Sequence, residues 1–561
     1  MLPTARGLWL LLLSAFATVS LAMGFVPPAQ DAAAPPAQAA ALKQIVASGR
    51  LADMRWPDFS DYKVLVDGFY APAGYAPAWV QGGKPSASAL ALIQAFREAG
   101  KRGLEPEDYD ASRWEARLQA LKLPNADVAR FDAALTICAM RLVSDLHIGR
   151  INPQHFHFGL SVQGKKYDLP RLLREQLMTA ADVSAVLDGV EPPFGGYRRT
   201  RAALGRYTEL ARGAALEPLP VPAKAIKPGE KYAGAAALGQ RLVLLGDLPA
   251  DAAPAANVDV YGGALVAGVK RFQGRHGLDA DGQLGPGTVK QLNVPIADRV
   301  RQLQYALERW RWLPTEFSSA PIIVNIPDFR LRAADAKGNV ALEMPVVVGK
   351  AAPTQTPVFS RYMTYVVFRP YWNVPPSILR GEIVRAITKD RNYIANKNYE
   401  VTTPDGKVVT DGPISDDVLA QLKAGKLAVR QKPGPANALG LVKLIFPNEF
   451  NVYLHSTPSQ ALFAKSRRDF SHGCIRVEKP AELAAWALRN NPDWTLERVR
   501  AAMQTGPDNV TVKLERPVPV FIVYATALAY ENGEVHFYDD IYGHDADLAQ
   551  ALAKGYPYPV N

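Results

Sequence analysis

A histidine and a cysteine in the last quarter of the sequence have the spacing of a base and its nucleophile. His455 ends the alternating run FNVYLH (450–455), and Cys474 follows 19 residues later in the run SHGC (471–474). A thiol is a weak nucleophile near neutral pH, but a nearby imidazole can take its proton, and the resulting ion pair activates the sulfur. Amide groups beside the nucleophile, brought close by Gly473, would stabilise the oxyanion of an acyl-transfer step. These residues predict acyl transfer.

Two other features of this segment bear on the prediction. In a strand, Phe450, Val452 and Leu454 would face the core, which places His455 on the opposite face together with Tyr453. Two histidines and a cysteine could also bind zinc, but no fourth ligand is identifiable and no second cysteine is close. We therefore expect a catalytic pair and no metal site.

The composition is that of a globular protein with several domains. At 561 residues the chain is too long for one hydrophobic core, and 48% of its residues are hydrophobic. The formal net charge of +10 favours an anionic partner, which could be nucleic acid, a membrane surface or cell wall. No run of Lys and Arg and no zinc-finger spacing supports nucleic acid. Cys138 lies in a helical apolar pattern, so we expect it in the core.

Residues 1–22 have the pattern of a secretory signal peptide. Arg6 precedes 16 largely apolar residues (7–22), and the run SLA (20–22) provides a small–x–small cleavage site. The stretch is short for a spanning helix, which needs about 20 apolar residues, so a cleaved signal is favoured over an uncleaved inner-membrane anchor. In an oxidising compartment, an exposed and unpaired Cys474 points to chemistry.

Changes in composition divide the rest of the chain. Residues 23–41 are rich in Pro and Ala and predict a linker, and residues 42–230 predict a helical scaffold domain. After a Pro- and Lys-rich boundary, residues 234–296 resemble the peptidoglycan-binding domain of many wall hydrolases and transpeptidases. The resemblance rests on ten residues, most of which we expect to hold the small helical fold: Val269, Phe272, Gln273, Gly277, Leu278, Asp281, Gly282, Gly285, Thr288 and Leu292.

The sequence pattern changes to β after a linker helix predicted over residues 297–320. Over residues 321–530, apolar or alternating runs bounded by Gly, Pro and Asp predict strands. Residues 376–436 between them are richer in charge and partly helical, which predicts a lid-like insertion. Residues 531–561 form a C-terminal tail. We expect a multidomain α+β protein with a helical scaffold, a small helical binding module and a mostly-β catalytic domain.

The cysteine run is part of a longer pattern that resembles the L,D-transpeptidase family. His455, 15 intervening residues and the run SHGC look like that family's signature. Many members have Asn two residues after the cysteine, where this chain has Arg476. The large periplasmic Gram-negative branch instead has SHGC-x-R-V, as here. The runs YWNVPPS (371–377) and FYDDIYG (537–543) and the order of domains are similar to that branch, so the resemblance implies a periplasmic protein.

The resemblance implies roles for the site residues. In that family the first histidine is the general base and the cysteine forms the acyl-enzyme, which assigns those roles to His455 and Cys474. The backbone carbonyl of Ser456 would orient the base. The supporting residues would be Ser471, His472, Gly473 and Arg476, and the candidate substrate contacts are Tyr371, Trp372 and Tyr453. No metal or nucleotide cofactor is implied.

The resemblance also implies a reaction on peptidoglycan stem peptides. Cys474 would attack the carbonyl of the third residue of a donor tetrapeptide and release D-Ala. The side-chain amine of another stem's third residue would then resolve the thioester into a 3→3 cross-link, and carbapenems should acylate Cys474. Three alternatives stay open: an L,D-carboxypeptidase, a transferase that attaches a lipoprotein to the wall, and an inactive wall-binding scaffold.

Overall fold

The computed structural model describes residues 36–213, 216–255 and 257–558. The predicted signal peptide (1–22) lies outside these residues, as does most of the predicted linker (23–41). Helix α1 (Pro36–Ser48) already contains residues 36–41, so the linker prediction extended too far, because its alanines favour a helix once helix-compatible residues follow. In the described part of the chain, no helix is both long and apolar enough to cross a membrane.

The N-terminal region is helical, as predicted. Ser86 caps α3 by accepting a hydrogen bond from the amide of Ala89 at 3.1 Å. Helix α5 is buried along most of its length, and its Cys138 is 0% exposed, which confirms that this cysteine belongs to the core. The elements after α1 are α2 (Lys63–Tyr70), β1 (Val80–Gln81), β2 (Lys84–Pro85), α3 (Ala87–Arg97), α4 (Trp114–Ala120), α5 (Val128–Ile148), α6 (Leu169–Leu172), α7 (Val183–Val190) and α8 (Gly195–Gly213).

The predicted binding module is a small helical unit with its own hydrophobic core. Its helices are α9 (Ala235–Leu244), α10 (Ala264–Arg275) and α11 (Pro286–Leu292). Val269, Phe272 and Leu292 lie in that core. Gln273 Nε2 donates to Asp281 Oδ1 at 3.1 Å, and Gln273 Oε1 accepts from the amide of Gly282 at 2.9 Å. These residues of the predicted pattern therefore hold the fold, as expected.

Helix α12 (Ile296–Arg311) was predicted as a linker, but the structure buries it. It packs against α8 in a shared hydrophobic cluster. Glu308 on α12 is 0% exposed, and its Oε1 accepts hydrogen bonds from the backbone amides of Arg150 and Ile151 at 2.5 and 3.0 Å. Because these bonds satisfy a buried carboxylate, α12 is a fixed part of the scaffold's packing.

The β region begins where predicted, and an insertion interrupts it. The first strands are β3 (Ile322–Asn325), β4 (Arg330–Ala334), β5 (Val340–Gly349) and β6 (Phe359–Phe368). The insertion then contains β7 (Trp372–Asn373), α13 (Pro376–Ile378), α14 (Val384–Lys389), α15 (Tyr393–Asn396), β8 (Tyr399–Thr402), β9 (Val408–Thr410), α16 (Asp416–Lys423) and β10 (Ala428–Gln431). Its strands form a separate sheet in the order β7–β10–β8–β9, over a core of its own. It thus begins with β7, before the predicted start at residue 376.

The remaining strands complete a nine-stranded sheet. They are β11 (Val442–Ile445), β12 (Leu454–His455), β13 (Asp469–Ser471), β14 (Ile475–Val477) and β15 (Val510–Val523), with α17 (Pro480–Ala487) and α18 (Leu496–Gln504) between the last two. The order is β13–β5–β14–β12–β11–β6–β15–β3–β4, and β4 also pairs with β5. The pairing of β4 with β5 joins eight strands into a closed ring, from which β13 projects as a ninth.

The C-terminal segment packs back on the rest of the protein. Strands β16 (Ala527–Ala529) and β17 (Val535–Phe537) form a hairpin, followed by α19 (His544–Ala553). The boundary predicted between residues 530 and 531 falls inside this hairpin. Beyond α19, the hydroxyls of Tyr556 and Tyr558 donate to the buried carboxylates of Asp145 and Asp108 in the scaffold. The segment is therefore an integral part of the fold.

Candidate active site

Two neighbouring parallel strands hold the predicted nucleophile and base. Strand β12 ends at His455 and pairs with β14, with His455 opposite Arg476. Cys474 directly precedes β14, and its thiol donates a hydrogen bond to the carbonyl of Asn451 at 3.6 Å. The structure therefore brings the two segments together through the sheet.

The strand predicted over residues 450–455 is mostly a turn. The side-chain oxygen of Asn448 accepts from the amides of Phe450 and Val452 at 3.0 and 3.1 Å, and Asn451 has a φ of 54°. An asparagine side chain that binds nearby amides competes with strand pairing. His455, predicted on the face opposite Val452 and Leu454, is only 4% exposed, so other parts of the protein cover that face.

His455 is held as a neutral base. Its Nδ1 lies 2.5 Å from the carbonyl of Ser456, the partner predicted for it. Donation from Nδ1 leaves Nε2 as the ring's acceptor. Burial, followed by the charge of Arg476, lowers the pKa of His455 to about 3, while the carbonyls of Ser456 and Leu439 oppose the shift. The imidazole is therefore uncharged throughout the physiological range.

Cys474 is a protonated thiol at rest. Burial raises the pKa of Cys474, and the opposing causes are hydrogen bonds from the backbone and side chain of Tyr453, then the charges of Lys443 and Arg476. With a raised thiol pKa and a lowered imidazole pKa, proton transfer from Cys474 to His455 is unfavourable before substrate binds. The predicted ion pair is thus disfavoured in the free protein.

The loop before Cys474 is closed by its own hydrogen bonds. Ser471 Oγ donates to the carbonyl of Cys474 at 2.6 Å and accepts from the amide of Gly473 at 3.1 Å. Gly473 has a φ of 112°, which L side chains rarely adopt, so glycine is required there. The amide of Gly473 is engaged inside the loop, so other groups would have to donate to an oxyanion.

A chain of hydrogen bonds from the C-terminal segment supports this loop. Thr356 Oγ1 donates to the carbonyl of Gly473 at 2.7 Å and accepts from the amide of Gly349 at 2.9 Å. The hydroxyl of Tyr542 donates to the carbonyl of Gly349 at 2.6 Å and accepts from the amide of Thr356 at 3.2 Å. The sequence analysis missed Thr356 and Tyr542, although Tyr542 lies in the run FYDDIYG.

The side chain of His472 contacts the insertion. Its Nε2 lies 2.9 Å from Oε1 of Glu382, which follows α13. Both side chains are more than a third exposed, at 39% for His472 and 59% for Glu382. The contact joins the cysteine loop to the insertion.

Tyr371 and Trp372 make their contacts inside the insertion. The guanidinium of Arg430 lies 4.4 Å from the centre of the Tyr371 ring, and the Trp372 ring lies 6.2 Å from that of Tyr399. Trp372 also packs against the insertion's core. Their side chains therefore help to build the insertion. Tyr453, by contrast, lies beside both catalytic residues, with its ring 5.7 Å from that of His455.

The site also contains a lysine that the sequence analysis missed. Lys443 on β11 pairs with His455 across the sheet, and its Nζ lies 3.8 Å from the centre of the Tyr453 ring. Its only sequence signal is a charge in the apolar run LVKLIFP (441–447). Among the described residues, no group of three or more His, Cys, Asp or Glu side chains is arranged to hold a metal ion.

Comparison with known protein families identifies the class of this fold and site. Residues 320–520 match the L,D-transpeptidase catalytic domain, residues 64–204 a scaffold domain, and residues 234–292 a domain described as "Putative peptidoglycan binding domain". The chain thus contains a catalytic domain of the L,D-transpeptidase family, together with scaffold and peptidoglycan-binding domains.

One curated relative is a Haemophilus influenzae protein named "Putative L,D-transpeptidase". The two are 33% identical over 261 residues, which cover 46% of this chain and 50% of that protein. The chain thus matches about half the length of this relative. Among solved structures, LD transpeptidase LdtMt1 in complex with imipenem is 15% identical and covers 36% of this chain and 59% of its own, with a TM-score of 0.18. A TM-score this low supports no conclusion about this chain.

Proposed function

We propose that this protein is a cysteine L,D-transpeptidase that forms 3→3 cross-links between peptidoglycan stem peptides. The observation that carries the proposal is the pairing of β12 with β14, which sets a neutral His455 beside the Cys474 segment. The hydrogen bond from His455 Nδ1 to the Ser456 carbonyl directs the basic Nε2 to the other side of the ring. A nucleophile with an oriented base is the arrangement that covalent acyl transfer requires.

The first half of the reaction forms a thioester. His455 Nε2 takes the proton of Cys474 Sγ as the sulfur attacks the carbonyl carbon of the donor's third residue. His455 then returns the proton to the amine of the terminal D-Ala, and the C–N bond breaks. In the second half, the side-chain amine of an acceptor stem attacks the thioester carbonyl, His455 accepts the amine's proton, and the thiol leaves protonated. The thioester conserves the energy of the broken amide, so no nucleotide is consumed.

The insertion supports cross-linking rather than hydrolysis. Water at tens of molar competes with a scarce amine for the thioester, so a transferase must exclude water and position the amine. The insertion folds over its own core and touches the cysteine loop through Glu382 and His472. We propose that it covers the acyl-enzyme as a lid. The peptidoglycan-binding domain would hold the enzyme on its polymeric substrate in the periplasm.

The products of the purified protein test this function. With disaccharide tetrapeptides, we expect mass spectrometry to find 3→3 dimers and free D-Ala, with tripeptide as the minor product. Cys474→Ala should abolish both products, and Cys138→Ser, a change in the buried core, should retain them. His455→Ala should slow acylation by roughly 100- to 10,000-fold, the scale of a lost general base. Carbapenems should add their mass at Cys474 alone.

Three outcomes would contradict the proposal at different levels. Tripeptide as the sole product of the intact protein would make it an L,D-carboxypeptidase and leave the roles of Cys474 and His455 standing. Turnover by a folded Cys474→Ala variant comparable with that of the intact protein would remove the cysteine mechanism altogether. A product formed only with a lipoprotein as acceptor would identify the wall-attachment alternative.

A further inference from the structure

Three basic side chains stand in one row across the catalytic sheet. The strand pairings place Lys443 of β11 opposite His455 of β12, and His455 opposite Arg476 of β14. Directly opposed residues share one face of a sheet, so all three side chains lie on the same face. Cys474 and Tyr453, two residues before Arg476 and His455, lie next to this row. The row therefore borders the nucleophile.

The two outer members of the row lack an anionic partner. Among the described residues, neither Lys443 nor Arg476 forms a salt bridge, and Nε of Arg476 is buried without a hydrogen-bond acceptor. The nearby Arg467, by contrast, forms two hydrogen bonds with the carboxylate of Asp469, at 2.8 and 2.9 Å. Partial burial lowers the pKa of both Lys443 and Arg476. Unpaired cations in such a place are costly unless an anion occupies the site for part of the reaction cycle.

We propose that Lys443 and Arg476 form an anion site that binds a carboxylate of the donor stem peptide beside Cys474. The identity of the donor rests on the function proposed above. Such a donor has two free carboxylates near the attacked carbonyl, one at the terminal D-Ala and one on the side chain of the diamino acid. Two inter-strand spacings, across β12, separate Lys443 from Arg476 by about 10 Å, a gap that their long side chains can close on one carboxylate.

Carboxylate binding would also assist the base. When His455 takes the thiol proton, it becomes a third positive charge between two others, which opposes the transfer. A carboxylate held by Lys443 and Arg476 offsets that repulsion, so His455 can accept the proton when the donor is bound. The thiol then stays protonated, and protected from unwanted reactions, until a substrate of the correct charge arrives.

Two alkylating reagents with the same leaving group test the anion site without any peptide. Iodoacetate carries a carboxylate and iodoacetamide does not, so the ratio of their rates with Cys474 measures how strongly the site attracts the anion. Both rates depend equally on the fraction of Cys474 that is thiolate, so that fraction cancels in the ratio. We expect Lys443→Gln and Arg476→Gln each to lower the iodoacetate-to-iodoacetamide ratio about tenfold, the scale of one lost charge interaction in a partly buried site. Lys443→Arg and Arg476→Lys should restore most of it. Lys513→Gln, an exposed lysine on β15, is the matched control and should leave the ratio unchanged.

Each outcome decides for or against the site. If the ratio is unchanged and both rates are lower, Lys443 and Arg476 only stabilise the thiolate of Cys474, and the proposal is wrong. Unchanged rates in the Gln variants would overturn it too. Thermal unfolding and an unmodified Cys138 verify that each variant is folded. With tetrapeptide donors, each of the two carboxylates can be amidated in turn. Amidation of the carboxylate that binds should raise KM for the intact protein but not for the Gln variants, which identifies that carboxylate. If no donor peptide reacts, the proposed function fails. The ratio of the iodoacetate and iodoacetamide rates would still show whether Lys443 and Arg476 bind an anion.

Discussion

His455 is almost completely buried, between two positively charged neighbours on the adjoining strands. The sequence predicted a histidine that faces away from the core and an ion pair with Cys474. In the structure, burial and the charge of Arg476 keep the imidazole neutral, and burial keeps the thiol protonated. In the proposed mechanism the proton therefore moves from Cys474 to His455 during the reaction with substrate, and not before it.

The pH dependence of Cys474 alkylation should show this resting state. Because the pKa of His455 is lowered to about 3, the imidazole is already neutral at pH 5, and it does not change charge between pH 5 and 8. The thiolate fraction then depends on the raised pKa of Cys474 alone, so the rate with iodoacetamide should rise about tenfold per pH unit from pH 6 to 8.5. Mass spectrometry of the intact protein, on samples quenched at successive times, measures this rate, with Cys138→Ser as the control.

An inflection near pH 6.5, or a rate that is constant from pH 5 to 8, would reveal a resting imidazolium–thiolate pair. A separate NMR titration checks the cause of the lowered pKa of His455. Arg476→Gln removes the second-largest contribution to it, so the pKa of His455 should rise toward its ordinary value, and NMR of the imidazole protons follows that change.

At the scale of single residues, the sequence indicates the proposed catalytic pair but not its electrostatics. His455 and Cys474 could be found because residue type and spacing carry their signal. Lys443 could not, because its importance depends on the register of β11 with β12, which pairs it with His455. A lysine in an apolar run is otherwise expected to direct its charge to solvent.

Among the elements, the segment between β5 and β6 links the C-terminal region to the cysteine loop. Thr356 in this segment binds the carbonyl of Gly473, and the hydroxyl of Tyr542 binds the carbonyl of Gly349. Tyr542 acts on the cysteine loop through Thr356 and Gly349, so we assign it a positioning role. The side chain of a residue 68 positions after Cys474 thereby fixes the backbone from which the nucleophile projects.

Tyr542→Phe should weaken this positioning and leave the nucleophile itself intact. The ring stays, but the bond to the Gly349 carbonyl and the acceptor for the Thr356 amide are lost. Acylation by a carbapenem, which needs an aligned carbonyl and oxyanion donors, should slow by roughly 10- to 100-fold. Alkylation by iodoacetamide, which needs only the sulfur, should change by less than about twofold.

The exposed Tyr362 provides the matched control, because Tyr362→Phe removes a hydroxyl away from this chain of bonds. Thr356→Val should reproduce the Tyr542→Phe effect, and the double variant should be little worse than either single one if the two act in series. Equal losses in both reactions, together with a lower Tm, would indicate a general loss of structure.

Elements were predicted where a repeating pattern was long and missed where it was short. Strands β3, β4, β5 and β11 lie within the runs predicted at 321–327, 329–335, 340–349 and 441–447, since each buries an apolar face, whereas β6 begins at Phe359, before its predicted run at 363–370. Strand β12 forms only the last two residues of the predicted run FNVYLH, and β14, which was not predicted, has three residues and therefore too little alternation to be recognised. These two short strands nonetheless position the catalytic pair.

At the scale of the whole molecule, the C-terminal segment touches every domain. Gln291 of the binding module donates to Asp539 at 2.6 Å, and Arg275 donates to the carbonyl of Val535 at 2.6 Å. Further on, Tyr556 reaches the scaffold carboxylate of Asp145. These contacts join residues up to 411 positions apart, which no local sequence pattern could predict.

Removal of the two tyrosine hydroxyls should loosen the scaffold. Tyr556→Phe and Tyr558→Phe each leave a buried carboxylate with one donor fewer, which should cost about 1–3 kcal/mol in unfolding free energy. Thermal unfolding and limited proteolysis measure the loss, with Tyr362→Phe as the exposed control. If the double variant unfolds and is cleaved like the intact protein, the segment does not stabilise the scaffold.

The docking of Tyr556 and Tyr558 also constrains when the protein can finish folding. Translation delivers a chain from its N-terminus, so the scaffold leaves the ribosome hundreds of residues before these two tyrosines. Until these tyrosines are synthesised, Asp108 and Asp145 lack the hydroxyl donors that the finished fold supplies, and the scaffold is incomplete. The catalytic domain is synthesised in this interval. Completion of the first domain is thereby coupled to synthesis of the candidate active site, and a chain broken off early remains open to the proteases that clear unfinished proteins.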